Sequence, residues 1–334
     1  MQTESVLLQN LFVPCACHCR YCLLSWDGKP AGIPWERSAD FAQRFKLWQQ
    51  QNRPDLKFSF TFGYAMEHPD LKNALRFLRA IGSPQAEYLQ CDGMNMRTEA
   101  ECSELAQMLA SEGVRHLNFT FYGLPEYHDR FAGRKGDFSL MLRMMHAANA
   151  VGLFTSAGIP LTAESAPQAN ALIDILQKQA SCQSVKLFIP HEEGRGVVLQ
   201  PVRFSEDDLE KLSPDALALL NQTLYRSERD WITTRGFSEE TRRMLIVSLR
   251  SDTIERYEAM SPAEIIAETE ALDDAYYRAF PTLSELAERY GDPAGKRFYR
   301  QRDLFYHYRR LFAEEFRISV YDVADERQSG SRRY

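Results

Sequence analysis

Four cysteines lie within eight residues near the start of the chain, in the run Cys15-Ala16-Cys17-His18-Cys19-Arg20-Tyr21-Cys22. Ordinary core packing does not require thiols at this density, and cysteines crowded in this way are typical of metal or redox chemistry. Cys15, Cys19 and Cys22 form a C-x3-C-x2-C pattern, which offers three thiolates from one loop. We therefore interpret the run as a metal site.

Two ligand sets compete within this run. Three thiolates would leave one iron of a cubane iron–sulfur cluster without a protein ligand, and such an open iron can bind a substrate. Alternatively, Cys17 and His18 could complete a four-ligand zinc site, and the chain would then be a non-catalytic zinc-binding interaction protein. A zinc ribbon normally takes its ligands as two separated pairs, and no second C-x2-C occurs in the chain, so the iron–sulfur interpretation is favoured.

The composition is that of an ordinary globular protein, with 334 residues, 44% hydrophobic and 26% charged, and a formal net charge of -6. This length suits one large domain or a domain with an appendage. The mildly acidic balance argues against a broad nucleic-acid-binding surface. No apolar run approaches the roughly 20 residues of a membrane helix, and the first five residues lack the basic region of a signal peptide. We therefore expect a cytoplasmic protein without membrane contact.

Short apolar runs alternate with amphipathic stretches from Val6 to about Ser184, which predicts repeated β-α units and a parallel sheet. Functional loops of such sheets lie at the C-terminal ends of the strands, and the cysteine run follows the first strand. The predicted fold is α/β, a partial six-stranded (β/α)6 barrel. Its strands are Val6–Val13, Lys57–Phe62, Ala86–Gln90, His116–Phe121, Leu153–Ile159 and Val185–Ile189, and its helices lie near Trp35–Gln51, Asp70–Ile81, Thr98–Glu112, Phe138–Ala150 and Ala166–Ala180.

After Pro201 the strand signal fades and long periodic segments take over. We therefore divide the chain into a core at residues 1–200, a mainly helical C-terminal extension at 201–324 and a disordered tail at 325–334. Helices are predicted near Glu206–Leu220, Glu239–Leu249, Pro262–Phe280 and Arg302–Phe316, and a late strand at Arg317–Val323.

The cysteine run resembles the signature of the radical S-adenosylmethionine (SAM) enzymes. In that family C-x3-C-x2-C, with an aromatic residue before its last cysteine, follows a short hydrophobic strand near the N-terminus, and Tyr21 stands at the aromatic position here. The later strand ends, up to Gly196, resemble the family's in the same order. The resemblance places Tyr21 beside the cofactor.

The end of the second strand resembles the family's Gly-Gly-Glu-Pro segment, whose backbone meets the amino group of SAM. Gly63 matches this segment, but Tyr64 and Ala65 stand where the family has Glu and Pro. Backbone carbonyls at Gly63 and Tyr64 would still accept hydrogen bonds from an ammonium group. His68 and Asp70 match the family's helix start and are explained as well by a turn and a helix cap, which we favour.

Other strand ends resemble the rest of the family's SAM pocket. Thr120 stands where a hydroxyl contacts the ribose, and Arg134, or else Arg143, could pair with the SAM carboxylate, because a planar guanidinium suits that group. Pro190 precedes a Gly-Arg-Gly run that is similar to the segment closing the family's barrel beside the adenine. Ile159, at the end of the fifth strand, is assigned to the same pocket.

The third strand ends at Cys91-Asp92-Gly93, which is similar to the family's Thr-Asn-Gly turn. A thiol at the barrel mouth could give a hydrogen atom to a substrate radical, so Cys91 is a candidate catalytic residue. The alternative is a small buried core residue, the commonest fate of cysteine. No cysteine follows Cys182, so the resemblance implies a single cluster without a cysteine-rich auxiliary domain.

The resemblance implies that Cys15, Cys19 and Cys22 hold a [4Fe-4S] cluster at which SAM is reductively cleaved to a 5′-deoxyadenosyl radical that abstracts a substrate hydrogen. It also implies an electron donor of the flavodoxin or ferredoxin type. The expected substrate is a peptide or an amino-acid-derived natural product, and the alternative is a small metabolite or a nucleoside.

The segment Lys296–Phe312 mixes basic and aromatic residues. Leu304, Tyr308, Leu311 and Phe312 form one helical stripe, which predicts core-facing aromatic residues with a solvated basic face. The alternative is a surface for an acidic peptide or a nucleic acid, bound by charge pairing and stacking.

Overall fold

The computed structural model describes residues 1–13, 15–22, 32–63, 65–192, 194–238 and 241–319, and its fold is α/β with parallel sheets, as predicted. The strands are β1 Gln2–Val13, β2 Lys57–Gly63, β3 Tyr88–Gln90, β4 His116–Thr120, β5 Phe154–Pro160, β6 Ser184–Phe188, β7 Arg226–Ser227, β8 Arg242–Ser248 and β9 Phe298–Tyr299. All six strands predicted for the core form at their expected places.

The helices alternate with the strands in the core and dominate the C-terminal region. The framework is completed by a π-helical turn at Ile175–Gln179 and by 3-10 segments at Ala65–Glu67, Pro84–Ala86, Ala166–Gln168, Gly194–Val202 and Glu206–Lys211. The α-helices are α1 Trp35–Asn52, α2 Leu71–Ala80, α3 Glu99–Ser111, α4 Pro125–Ala132, α5 Asp137–Ala150, α6 Ala169–Asp174, α7 Pro214–Ala218, α8 Glu228–Thr233, α9 Ile254–Ala259, α10 Pro262–Arg278, α11 Leu283–Tyr290 and α12 Gln301–Phe316.

The parallel strands form two sheets, with the orders β2-β1-β8 and β3-β4-β5-β6. The turn at Pro84–Ala86 contacts both β2 and β3, so the two sheets meet there and the first six strands follow one another in chain order. Within each sheet the C-terminal ends of the strands lie at one edge. The N–H of Ala16, after β1, donates to the carbonyl of Gly93, after β3, so the loops after β1, β3, β4 and β6 lie on the same side. This is the side on which the sequence places the chemistry.

The predicted helix at Glu239–Leu249 is wrong, because Arg242–Ser248 is the strand β8. It pairs in parallel with β1, and Leu245 lies opposite Val6. Leu245 and Val247 are 0% and 1% exposed. The apolar residues of this run are therefore buried in a sheet and do not form the apolar face of a helix. The first strand therefore has neighbours on both sides.

The end of the chain differs from the expectation in part. The helices predicted near 262–280 and 302–316 form as α10 and α12. Arg317 caps the C-terminal end of α12 with a left-handed φ of 53°. Residues 317–319 form no strand, and the remainder of the predicted late strand and tail lies outside the described residues. No helix in the described ranges has the length and apolar character needed to span a bilayer.

Candidate cofactor site

The cysteine loop after β1 is fastened to two neighbouring segments by its backbone. The N–H of Ala16 donates to the carbonyl of Gly93, at 2.9 Å, in the turn after β3. The N–H groups of His18 and Arg20 donate to the carbonyls at positions 132 and 131, at 2.8 and 3.0 Å, at the end of α4. These bonds place the loop at the C-terminal edge of the sheets.

Two glycines permit this close approach. Gly93 and Gly133 have φ angles of 74° and 67°, in the left-handed region that side chains disfavour. Gly133 caps the end of α4, and a Cβ added there would lie 2.8 Å from the carbonyl oxygen of His18. A larger residue at 133 would therefore push the cysteine loop away from the helix.

The four thiols of the loop are not equivalent. Cys15, Cys19 and Cys22 are half-buried and form no disulfide. Cys17 is 3% exposed, and its Sγ lies 3.7 Å from Oδ2 of Asp137. A hydrogen bond with Cys15 acts to lower the pKa of Cys17, but a hydrogen bond with Cys19, burial and the Asp137 charge outweigh it and raise that pKa. Cys17 is thus engaged with the protein interior.

Among the described residues, no three Cys, His, Asp or Glu side chains are arranged as a finished metal-binding group. Cys15, Cys19 and Cys22 lie on one loop that backbone hydrogen bonds hold in place, but their thiols are not arranged around a common centre. The donor set still fits a cluster that takes three protein thiolates, because three half-buried thiols remain when Cys17 is withdrawn.

An aromatic wall lies against the cysteine loop. Tyr21 packs edge-on against Tyr122 at 5.9 Å between ring centres and lies 5.6 Å from Phe131. The hydroxyl of Tyr122 donates to Sγ of Cys19 at 3.3 Å. Tyr122 was not singled out from the sequence, although it directly follows the fourth predicted strand. This wall excludes water from one side of the thiols.

The carboxylate of Asp92 joins the ends of β3 and β4. It accepts hydrogen bonds from the backbone N–H and the hydroxyl of Thr120, both at 2.8 Å, and from the side-chain amide of Gln90. Burial raises the pKa of Asp92 to about 6, although these hydrogen bonds act to lower it. Thr120 lies where the resemblance predicts a hydroxyl, but its proton is directed to Asp92.

A row of polar side chains continues from Asp92 along the sheet. The amide of Asn118 donates to Gln90 at 2.6 Å, the hydroxyl of Ser156 donates to Asn118 at 2.7 Å, and the His116 ring lies 2.6 Å from that hydroxyl. Sequence reasoning missed this row. The feature of the sequence that could have revealed it is the alternation in β4, where polar residues alternate with the buried residues Leu117 and Phe119.

The two candidate arginines are both engaged within the protein. Arg134 donates to the carbonyl of Met94 and to Asp137, the carboxylate that also meets Cys17, so it lies on the side of the cysteine loop. Arg143 donates to the carbonyl of Arg97 at 3.1 Å. The placement favours Arg134 as the residue near the cofactor, and its pairing with SAM stays a prediction.

Cys91 is fully buried and belongs to the same apolar cluster as Cys102. Because side chains alternate along a strand, Cys91 lies on the face of Leu89, opposite Gln90 and Asp92. The placement matches the alternative of a small core residue. A role for Cys91 as hydrogen donor stays untested.

The remaining predicted positions lie at strand ends as expected. Gly63 ends β2 with a φ of 91°, and Ile159 and Pro190 are buried near the ends of β5 and β6. Asp70 caps α2 by accepting from the N–H of Asn73 at 3.4 Å, so the cap interpretation is confirmed. Tyr64 lies outside the described residues.

No protein-family model matches the chain, and no curated protein matches it. Solved structures are similar to it. The structure of Streptococcus suis SuiB bound to precursor peptide SuiA has 13% identity and a TM-score of 0.48, over 77% of this chain and 51% of that one. The chain thus spans about half the length of SuiB, which another structure records with S-adenosylmethionine bound.

Two further structures that are similar to the chain are those of radical S-adenosylmethionine enzymes. Escherichia coli coproporphyrinogen III oxidase HemN has 12% identity and a TM-score of 0.42, over 92% of this chain and 89% of its own. The methyltransferase TsrM from Kitasatospora setae, with cobalamin and a [4Fe-4S] cluster bound, has 17% identity and a TM-score of 0.33, over 56% and 36%. The residue assignments rest on the geometry described above.

Proposed function

We propose that this chain is a radical SAM enzyme that holds a [4Fe-4S] cluster on Cys15, Cys19 and Cys22. The observation that carries the proposal is the difference in burial among the four thiols of the loop at the C-terminal edge of the sheets. Three are half-buried, while Cys17 is buried against Asp137. Three-thiolate ligation leaves one iron open to a cosubstrate, which a four-ligand zinc site does not.

When bound, the cluster supplies a low-potential electron that splits SAM into methionine and a 5′-deoxyadenosyl radical, which abstracts a hydrogen atom from the substrate. The protein's share is to bind, to orient and to exclude water. Tyr21 and Tyr122 cover one side of the thiol loop. Asp92 holds the Thr120 hydroxyl at the strand edge, and because that hydroxyl accepts one hydrogen bond from Gln90, it retains one lone pair that can accept another.

Anaerobic reconstitution with iron and sulfide tests this function. We expect a brown protein with about four iron atoms per chain, and 5′-deoxyadenosine formed from SAM once a reductant is added. The matched comparison is Cys19→Ala against Cys17→Ala, of which only the first should stop 5′-deoxyadenosine formation. A colourless protein that retains zinc and leaves SAM intact would reject the proposal in favour of the zinc-binding alternative.

We propose a peptide or an amino-acid-derived product as the substrate, and a flavodoxin or ferredoxin as the electron donor in the cytoplasm. The thiols form no disulfide, which suits a reducing compartment. The substrate is tested by asking which candidates raise the release of 5′-deoxyadenosine and exchange a hydrogen with deuterated solvent. Stimulation by a nucleoside or a small metabolite, and not by peptides, would support the second candidate class.

A further inference from the structure

A buried arginine lies among aromatic rings between α10 and α12, far from the cysteine loop. Arg309 is 2% exposed, and its guanidinium carbon lies 3.3 Å from the ring centre of Phe305 and 4.3 Å from that of Tyr277. The rings of Tyr276 and Phe280 follow at 4.5 and 5.1 Å. The sequence predicted a solvated basic face for this helix, so for Arg309 that expectation is wrong.

Within the described part of the chain, Nε and Nη2 of Arg309 have no hydrogen-bond partner. Two other arginines that stack on aromatic rings are paired with carboxylates. Arg203 stacks on Tyr299 and donates to Glu192 at 3.2 Å, and Arg226 stacks on Trp231 and donates to Asp230 at 2.6 Å. Burying a cation without hydrogen bonds is costly, and aromatic faces offset only part of that cost. Among the described residues, Arg309 therefore lacks the carboxylate that Arg203 and Arg226 have.

Arg309 lines a cavity of about 610 Å³. The walls combine aromatic and apolar side chains with the polar groups of Gln301 and Arg302. The one carboxylate among the described wall residues, Asp274, already accepts from Arg243 at 2.5 Å. A planar guanidinium with free N–H groups matches the two oxygens of a carboxylate, and the aromatic walls match an apolar group beside it.

A second cavity of about 520 Å³ adjoins the first and shares Ser238, Tyr277, Gln301 and Arg302 with it. Met1 and Asp274 place the first cavity near the N-terminal ends of β1 and β8. The cysteine loop follows the other end of β1, on the order of 40 Å away at the usual rise of a strand. A ligand in the cavity would therefore not touch the proposed cofactor site.

We propose that this cavity binds the carboxylate of a ligand that also carries an aromatic or aliphatic group, with Arg309 as the anion partner. The carboxylate can belong to a peptide or to a free organic acid, and the adjoining cavity offers room for a longer chain. The site is separate from the proposed radical chemistry and does not depend on it.

Calorimetric titration of the full-length protein tests the proposal with N-acetyl-L-phenylalanine and its uncharged amide. We expect the acid to bind at least tenfold more tightly than the amide, and binding to weaken as salt increases. Equal affinity for acid and amide, or no binding of either, would overturn the proposal. This comparison uses the unchanged protein, so it does not depend on whether any variant folds.

Variants assign the binding to Arg309. Arg309→Gln should lose at least tenfold in affinity for the acid, whereas the matched variant Arg226→Gln, which removes another ring-stacked arginine, should keep it. Equal loss in both variants, or none in Arg309→Gln, would refute the assignment. Cys19→Ala should bind the acid normally, which separates this site from the fate of the proposed enzyme function.

The source of the carboxylate is distinguished by comparing phenylacetate with a short peptide that ends in phenylalanine, as free acid and as amide. Tighter binding of the peptide acid than of phenylacetate assigns the site to peptides. Equal or tighter binding of phenylacetate assigns it to small acids, and the adjoining cavity then contributes nothing to affinity.

Discussion

At the scale of single residues, Cys17 differs from its neighbours in the cysteine loop in its burial and its contact with Asp137. The C-x3-C-x2-C spacing predicts Cys15, Cys19 and Cys22 as ligands, and the structure places these three residues on one loop. Their binding of a cluster stays a prediction. The partner of Cys17 could not be predicted, because Asp137 lies 120 residues further along the chain. The same is true of Tyr122, whose contact with Cys19 depends on the position of β4.

Replacing Cys17 with alanine should leave the cluster in place, because its thiol is buried in contact with Asp137, whereas Cys15, Cys19 and Cys22 are half-buried. We expect iron and sulfide contents close to those of the parent after anaerobic reconstitution. Cys15→Ala, Cys19→Ala and Cys22→Ala should each lower the iron content from about four atoms per chain to below about one. Iron loss in Cys17→Ala equal to that in Cys19→Ala would make Cys17 a ligand.

Asp92 should make the protein less stable as pH rises. Its pKa is about 6 when folded, above the ordinary value of 3.8, so between these values the folded state holds a proton that the unfolded state lacks. The free energy of unfolding should therefore fall by up to about 3 kcal/mol from pH 4 to pH 7 on account of this group. Asp92→Asn should remove this decline in urea unfolding, while the exposed control Asp215→Asn should retain it. An unchanged pH profile in Asp92→Asn would contradict the assignment.

At the scale of elements, the alternation of apolar runs was enough to predict the six core strands and most helices. It failed at β8, where a short apolar run next to polar residues fits a helix face and a buried strand equally well. Only the pairing of β8 with β1 resolves this, and that pairing joins residues about 240 positions apart. A pairing partner so distant in the chain cannot be predicted from the local sequence.

Leu245→Ala should destabilise the protein, because Leu245 is fully buried in β8 opposite Val6 of the first strand. A buried leucine replaced by alanine costs about 2 to 5 kcal/mol. The neighbouring Met244 is 54% exposed, so Met244→Ala should cost less than about 0.5 kcal/mol. Urea unfolding measures both, and equal effects would mean that β8 does not pack as described.

At the scale of the whole molecule, buried charges join the core to the C-terminal helices. Asp303 of α12 accepts two hydrogen bonds from Arg300, at 2.7 and 2.8 Å, and one from the N–H of Glu192 after β6, at 3.0 Å. Glu192 in turn accepts from Arg203 at 3.2 Å. The predicted boundary near residue 200 separates strand-rich from helix-rich sequence, but these contacts and β8 cross it. Charged residues are normally predicted to be exposed, so the burial of these residues could not be predicted from the sequence.

Asp303→Asn should cost about 3 to 5 kcal/mol of unfolding free energy, because it leaves buried cations without their partner charge. Burial acts to raise the pKa of Asp303, but the hydrogen bonds and charge of Arg300 outweigh it and lower that pKa. Its stabilisation is therefore present at neutral pH and is lost as pH falls through the lowered value. The exposed pair of Asp207 with Lys296, at 2.7 Å, is the matched control, and Asp207→Asn should cost at most about 1 kcal/mol. Similar losses in urea unfolding would contradict the buried network.

The pairing of β1 with β8 also sets an order of events during synthesis. Gln2 pairs with Arg242, so about 240 residues leave the ribosome between the two strands. At roughly 5 to 20 residues per second, the first strand waits about 10 to 50 s for its second neighbour. During this interval the cysteine loop follows a strand that lacks one of its two neighbours. We therefore expect iron and sulfide to enter the protein only after β8 has been synthesised.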